Sequence, residues 1–359
     1  MGLETYTPTG VAFGVESHTP TGRRWRLREF ALRPRCLAIG ILSLLMSPAF
    51  AVDTDRPDVD AFIESMVREH DFDRSGLRAT LREAEIKESI LDLIARPAEK
   101  TKSWAEYRDI FLTRERIEAG AAFWRDNRET LERISGETGV PIEILVGIIG
   151  VETYFGRITG GHRVLDALVT LAFDYPPRAK FFRRELEEFL LLVREEGMPP
   201  TAAVGSYAGA MGRPQFMPSS YRAYAVDSTG DGKRDIWTSW ADVAGSVANY
   251  FVEHGWKAGE EVTAQATLNE RWDGPLPKNV LQATSTLRSL SARGVMFSTE
   301  LPADSKAQLL TLEGADGTEH WVGFHNFFVI TRYNRSVMYA LAVHQLGQEI
   351  ALEIKREST

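Results

Sequence analysis

The spacing of apolar residues predicts a mainly α-helical chain with a small β-containing region, an α+β protein. Apolar positions recur at three- and four-residue intervals from Asp58 to His254 and again from Ser336 to Ile354, whereas short alternating runs occur only between Glu261 and Val322. The third observation is the run from Ile144 to Val151, which carries no charge and is apolar on every side, so it belongs inside a core. With 359 residues, 43% hydrophobic and 26% charged, the chain can bury a sizeable core in two or three subdomains, and disordered and fibrous classes are excluded.

In chain order, Arg23, Arg24, Arg26, Arg28, Arg33 and Arg35 precede the apolar run Leu37 to Met46, followed by Ser47-Pro48-Ala49-Phe50-Ala51. A positive region, a short apolar region and an Ala-x-Ala site predict a signal peptide over residues 1–51, cleaved after Ala51. The run is too short for a mature transmembrane helix and no later segment reaches that length, so an exported, soluble, periplasmic protein is expected. The single cysteine, Cys36, precedes the apolar run instead of following the cleavage point, which predicts no lipid anchor and no thiol chemistry in the mature chain. Residues 1–51 hold six Arg and three Glu of the 42 basic and 50 acidic residues, which leaves 36 against 47. That balance argues against a nucleic-acid partner.

Phe62, Ile63, Met66 and Val67, then Leu77, Leu81, Ile86, Ile90, Leu91 and Ile94, predict helix from Asp58 to Arg96 with a turn at Asp71 to Ser75. Trp104 to Phe111, then Ile117, Ala121, Phe123, Trp124 and Leu131, predict more helix ended by Gly136 and Gly139; residues 52–140 read as an N-terminal helical region. Pro141 and Glu143 suit a first helical turn. The apolar helix that follows ends by delivering Glu152, and Gly156 is expected to stop it in the left-handed conformation. Burial among aromatic and aliphatic neighbours disfavours the ionised form of a carboxyl, which is what a general acid at neutral pH requires. The alternative is a structural carboxylate that faces solvent or caps a neighbouring helix.

Gly160-Gly161-His162 predicts a turn, Val164 to Phe173 a second apolar helix, and Tyr175-Pro176-Pro177-Arg178 the start of another over Ala179 to Glu196. No second metal ligand stands at ligand spacing beside His162, which reads as a surface or core histidine. From Gly205 to Asp227 small residues permit close backbone approach, and Gln215 with Phe216 offers an amide and a ring, a mixture suited to carbohydrate; a glycine-rich connector is the alternative. Asp227, Thr229, Asp231, the Lys233 carbonyl and Asp235 fit the odd positions of an EF-hand loop, with Gly232 at six. Position twelve is Thr238 and the next carboxylate is Asp242, so a structural calcium ion is expected in a longer loop, 227–242, with no cofactor for the chemistry; a plain Asx-Gly turn is the alternative. Ala241 to His254 predicts a helix bearing Tyr250 and Phe251, which completes a core over residues 141–258. Val262 to Leu268, Gln308 to Leu312 and Glu319 to Val322 predict a small β unit within 259–335, where Phe327 to Ile330 leads to Thr331-Arg332-Tyr333-Asn334. Ser336 to Ile354, within 336–359, predicts a closing amphipathic helix.

Gly147 to Thr153, the Gly205 to Tyr221 loop, the calcium-like loop, Gly245 to Phe251 and Thr331 to Asn334 together resemble the membrane-bound lytic murein transglycosylase B family, in order over nearly the whole mature chain. The resemblance implies a goose-type lysozyme-like helical core with the added N-terminal helical region and the small β-containing region. It also implies cleavage of the β-1,4 bond between N-acetylmuramic acid and N-acetylglucosamine. By that resemblance Glu152 is the single catalytic acid and base, the product a 1,6-anhydro sugar, and Tyr107, Arg178, Ser206, Gln215, Phe216, Tyr250, Tyr333 and Asn334 line the glycan groove. Pro177 stands where some relatives have a second arginine, and the missing lipid-anchor cysteine also departs from the family name. The expected partner is peptidoglycan glycan, with cell-wall synthesis or remodelling proteins as candidate protein partners and a monomer as the expected state. Two alternatives are a muramidase that hydrolyses the same bond with water, which needs a second carboxylate across the groove, and a non-catalytic, calcium-stabilised wall-binding protein.

Overall fold

The structure, a computed structural model, describes residues 50–95, 102–272, 274–276 and 278–357. The expected signal peptide and Cys36 lie outside the described residues, apart from Phe50–Ala51, which form strand β1. A cut after Ala51 would leave Val52 first, with its amide donating to the Ala84 carbonyl at 3.2 Å and its side chain buried.

The stretch expected to be helical from Asp58 to Arg96 is, over its described residues to Ala95, three helices and a strand. Helix α1 (Pro57–His70) ends where Asp71 turns left-handed at φ 54°, and α2 (Arg74–Arg82) begins where the Asp73 carboxylate accepts the Gly76 N–H. Strand β2 (Glu85–Ile86) pairs antiparallel with β1 before α3 (Glu88–Ile94). Ser103 and Glu106 cap each other at the start of α4 (Trp104–Phe111), and Thr113 caps α5 (Arg114–Asp126). Helix α6 (Arg128–Thr138) runs through Gly136 and stops only at Gly139, whose φ is 69°.

Helix α7 (Ile142–Thr153) is buried from Ile144 to Thr153. The short strands β3 (His162–Arg163) and β4 (Val204–Gly205) pair antiparallel and bracket α8 (Val164–Asp174), a 3-10 turn at Pro176–Arg178, and α9 (Ala179–Glu195). Helices α10 (Pro218–Tyr224) and α11 (Trp240–Glu253) complete this wall. An antiparallel sheet follows, built from β5 (Thr263–Leu268), β6 (Ser285–Thr286), β7 (Val295–Met296), β8 (Lys306–Gly314) and β9 (Gly317–Gly323) in the order β6-β8-β9-β5-β7, with α12 (Leu287–Ala292) between β6 and β7. Leu287, Leu290, Leu309, Val322 and Phe324 form a small core of its own here. Phe327 to Ile330, read from the sequence as a connecting run, lies inside a helix, α13 (His325–Tyr333), and its Phe327 and Tyr333 join the main core. The last helix is α14 (Val337–Glu357).

Glycines set how α7 meets α14. A Cβ on Gly147 would lie 2.4 Å from the Val343 carbonyl oxygen, and one on Gly347 would lie 2.1 Å from that of Glu143. The two helices therefore run antiparallel with backbones nearly touching, 143 beside 347 and 147 beside 343. Continued to the end of α7, that register brings Glu152 beside Tyr339. Among the described residues no single helix is long and apolar enough to cross a membrane.

Candidate active site

Glu152 sits in the last turn of α7 and is only 5% exposed. Its Oε1 accepts the Tyr339 phenol at 2.5 Å, the contact that the α7–α14 register sets up. Burial pushes the Tyr339 and Tyr333 phenols well above the ordinary range, and the nearby Glu152 carboxyl adds to both shifts, so these rings remain neutral donors. Tyr339 was not anticipated from the sequence. Its one signal is a lone aromatic residue on the apolar face of an amphipathic helix, six residues beyond Tyr333.

The chain leaves α7 differently from the sequence expectation. Three consecutive residues are left-handed, Tyr154 at φ 50°, Phe155 at 57° and Gly156 at 79°, so the turn begins two residues before the glycine expected to make it. Two aromatic residues in that region cost about 1–3 kcal/mol each. Their surroundings hold them there: Phe155 stacks on Phe123 at 5.4 Å, and the guanidinium groups of Arg116 and Arg157 lie 4.5 and 4.8 Å from the centre of the Tyr154 ring. Thr153 fixes the same corner, because its hydroxyl donates to the Arg213 carbonyl at 3.0 Å and accepts the Gly156 amide at 3.1 Å. The helix end is thus tied to the loop that carries Gln215 and Phe216.

That loop is built on close backbone contact. A Cβ on Gly160 would stand 2.1 Å from the Gly205 carbonyl oxygen, and one on Gly205 2.0 Å from that of Ala210. Ser206 accepts the amides of Ala208 and Ala210, at 3.3 and 3.1 Å. Gln215, left-handed at φ 54°, donates from Nε2 to the carbonyls of Gly212 at 2.8 Å and Thr159 at 3.1 Å. Just beyond Phe216 and Met217, the start of α10 is held by Glu185, whose carboxyl accepts the Ser219 amide at 3.0 Å and hydroxyl at 2.8 Å. Burial pushes the Glu185 carboxyl up to about 7, opposed by those two hydrogen bonds.

Of the residues expected in the groove, the aromatic set converges. Phe216 lies 5.8 Å from both Tyr250 and Tyr333, and the latter two are 4.8 Å apart. Their hydroxyls are turned to the backbone: Tyr250 donates to the Arg332 carbonyl at 2.7 Å and Tyr333 to that of Pro214 at 2.6 Å. His254, also not anticipated, stacks on Tyr250 at 4.1 Å and holds the Tyr250 carbonyl through Nδ1 at 2.7 Å. Tyr107 packs on Phe111 at 5.2 Å in α4, and its phenol is close enough to Tyr339 to oppose that group's ionisation. Asn334 follows α13 and is 1% exposed. Arg178 stands at the head of α9 with its guanidinium 4.4 Å over Phe181.

In the loop after α10, the Asp227 carboxylate accepts the amides of Thr229, Gly230, Asp231 and Gly232, the shortest at 2.7 Å, which holds it below the ordinary carboxylate range. Asp231 accepts the Lys233 amide at 2.9 Å. Asp242 is fully buried and closes the loop at both ends, accepting the amides of Ser228 at 2.8 Å and Asp235 at 3.1 Å. Among the described residues no three His, Cys, Asp or Glu side chains converge to hold a metal ion, so these carboxylates are arranged around backbone amides.

The Transglycosylase SLT domain family matches residues 54–348. The chain is 43% identical over 307 residues to "Membrane-bound lytic murein transglycosylase B" of Escherichia coli, covering 83% of this chain and 84% of that one. Among solved structures, soluble lytic transglycosylase SltB1 of Pseudomonas aeruginosa shares 52% identity at a TM-score of 0.79, covering 83% of this chain and 99% of that one. The Escherichia coli lytic transglycosylase Slt35 in complex with calcium shares 42% identity at a TM-score of 0.77, covering 85% of this chain and 96% of that one. By family match, identity and fold, the chain belongs to the transglycosylase SLT domain family and is a lytic transglycosylase.

Proposed function

We propose that this enzyme cleaves the β-1,4 bond between N-acetylmuramic acid and N-acetylglucosamine in peptidoglycan, with Glu152 as the only acid and base, and leaves 1,6-anhydromuramic acid ends. The observation that carries this is the Glu152 carboxyl, buried at a helix end and held by a phenol, while the other buried carboxyls among the described residues are occupied elsewhere. Asp166 is held by Arg163 at 2.8 Å, Glu185 by Ser219, Asp242 by the 227–242 loop and Glu353 by Arg114 at 2.7 Å. A hydrolase of this bond places a second carboxylate across the groove to activate water or attack the sugar. Here the substrate's own C6 hydroxyl replaces it. Glu152 gives its proton to the departing oxygen as the C1–O bond breaks, and positive charge develops at C1. The C6 hydroxyl then attacks C1 and loses its proton to the Glu152 carboxylate, which returns the acid to its starting form. Tyr339 holds the carboxyl in one orientation through both steps and stabilises the carboxylate between them. Phe216, Tyr250 and Tyr333, packed on one another and almost fully buried, form the floor beneath the sugars, and Ser206, Gln215 and Asn334 supply polar groups, with Tyr107 and Arg178 completing the groove.

Mass spectrometry of a sacculus digest tests this reading. Anhydro ends, lighter by one water than reducing ends, are expected; reducing muramic acid ends would transfer the assignment to a muramidase, and no release at all to a wall-binding protein.

The donor set of the 227–242 loop, hard oxygens from Asp227, Thr229, Asp231 and the Lys233 carbonyl with Asp242 behind them, fits calcium. We propose a structural ion there that braces the loop against α11, with no part in bond cleavage. A metal bound only by the folded protein raises the melting temperature as its concentration rises. Equal melting in calcium and in chelator would remove it. The cell-wall substrate and the residues before Val52 support export to the periplasm.

A further inference from the structure

From the groove a row of rings and guanidinium groups leads outward. Tyr107 packs on Phe111 at 5.2 Å, the Arg116 guanidinium lies 5.2 Å from the Phe111 ring and 4.5 Å from the Tyr154 ring, and Arg157 lies 4.8 Å over Tyr154. The row begins beside Tyr339, the phenol on Glu152, and ends five residues after Glu152 on an exposed side chain. Arg116, by contrast, is buried and donates to the Gly150 carbonyl at 2.9 Å. Its place is therefore to hold the ring, and the ring's place is to hold Arg157.

Two facts make Arg157 more than a solvated surface charge. Among the described residues no carboxylate stands within ion-pair distance of it, whereas other surface arginines, such as Arg114, Arg125 and Arg163, are paired. Its platform is also fixed: Tyr154 is left-handed, its amide donates to the Gly150 carbonyl at 3.1 Å, and the Arg157 amide returns to the Tyr154 carbonyl at 3.3 Å. A guanidinium with one face on an aromatic ring keeps its N–H edge directed outward, the geometry that takes a carboxylate in a two-point grip. The chain as a whole carries a net charge of −8, so a cation left without a carboxylate partner is a favourable point for an acidic substrate.

We infer that Arg157, presented by Tyr154 and Arg116, is a carboxylate-binding subsite beside the cleavage centre that takes the peptide borne by muramic acid. The inference rests on the peptidoglycan reading above. Peptide-bearing glycan strands present peptide carboxylates, whereas strands freed of peptide by an amidase present only the lactyl carboxylate of the sugar. The two substrates separate these sources.

The experiment compares wild type, Arg157→Gln and Arg157→Lys on both kinds of strand, with anhydro-end release as the readout. Arg157→Gln is expected to raise KM about tenfold on peptide-bearing strands, the effect of one lost charge-assisted contact, with kcat near wild type and no change on stripped strands. Arg157→Lys, which keeps the charge but not the planar fork, is expected to fall between. Equal KM on peptide-bearing strands for all three proteins would overturn the subsite, and an equal rise on both substrates would assign Arg157 to the sugar instead. If wild type releases no anhydro ends from either strand, it is the peptidoglycan reading that fails, and this subsite with it.

Discussion

Glu152→Gln is expected to lower the rate of peptidoglycan cleavage by about two to four orders of magnitude, the contribution of a positioned general acid, while sacculus binding and melting temperature stay near those of wild type. The amide fills nearly the same volume at the end of α7, and its carbonyl oxygen can still accept the Tyr339 phenol that Glu152 Oε1 accepts at 2.5 Å. It has no proton acidic enough for the departing glycosidic oxygen. It also cannot take one from the C6 hydroxyl in the second step. Because the amide keeps the volume and an acceptor of the carboxyl, and the Tyr250 and Tyr333 rings are anchored through their hydroxyls to backbone carbonyls, binding is expected to survive. The measurement is anhydro-end release from purified sacculi, run beside pull-down on the same sacculi and thermal melting. Wild-type release by the variant would exclude Glu152 as the acid; loss of folding together with activity would make Glu152 a structural carboxyl.

How far the site could be read from the sequence depends on whether its geometry is local. Glu152 was legible because an uninterrupted apolar helix ending in a carboxyl is a local pattern, and the structure buries that helix from Ile144 to Thr153. The strand runs around Val262, Gln308 and Glu319 were legible for the same reason, as alternation within one strand. Tyr339 was not. Its relation to Glu152 spans 187 residues and depends on how closely two backbones approach. The helical nature of Phe327 to Ile330 was also hidden, since four consecutive apolar residues suit a buried strand and a buried helix equally. The stop at Tyr154 was missed because left-handed aromatic residues are rare, and here cation and ring contacts from α5 and the following turn hold one in place.

The approach of α7 to α14 carries the largest expected effect on stability. Gly147→Val is expected to destabilise the fold by about 3 kcal/mol or more, the upper range for overpacking, and to reduce activity in the fraction that remains folded. Even the first added atom would lie 2.4 Å from the Val343 carbonyl oxygen, and a backbone atom cannot turn aside as a side chain would. Helix α14 must move as a unit, and Tyr339, on the same helix, moves away from Glu152 with it. Helix propensity works the other way, since Gly is worse than Ala inside a helix by about 1 kcal/mol. Gly136 isolates that contribution: it lies within α6, where an added Cβ meets nothing within 4 Å. Gly136→Ala is therefore expected to stabilise by about 0.5–1 kcal/mol with unchanged activity. Urea unfolding of both variants with wild type, and anhydro-end release measured well below each midpoint, checks the pair. A Gly147→Val midpoint equal to that of wild type would mean that the two helices have room to spare, and that the meeting of Glu152 with Tyr339 does not depend on their close contact.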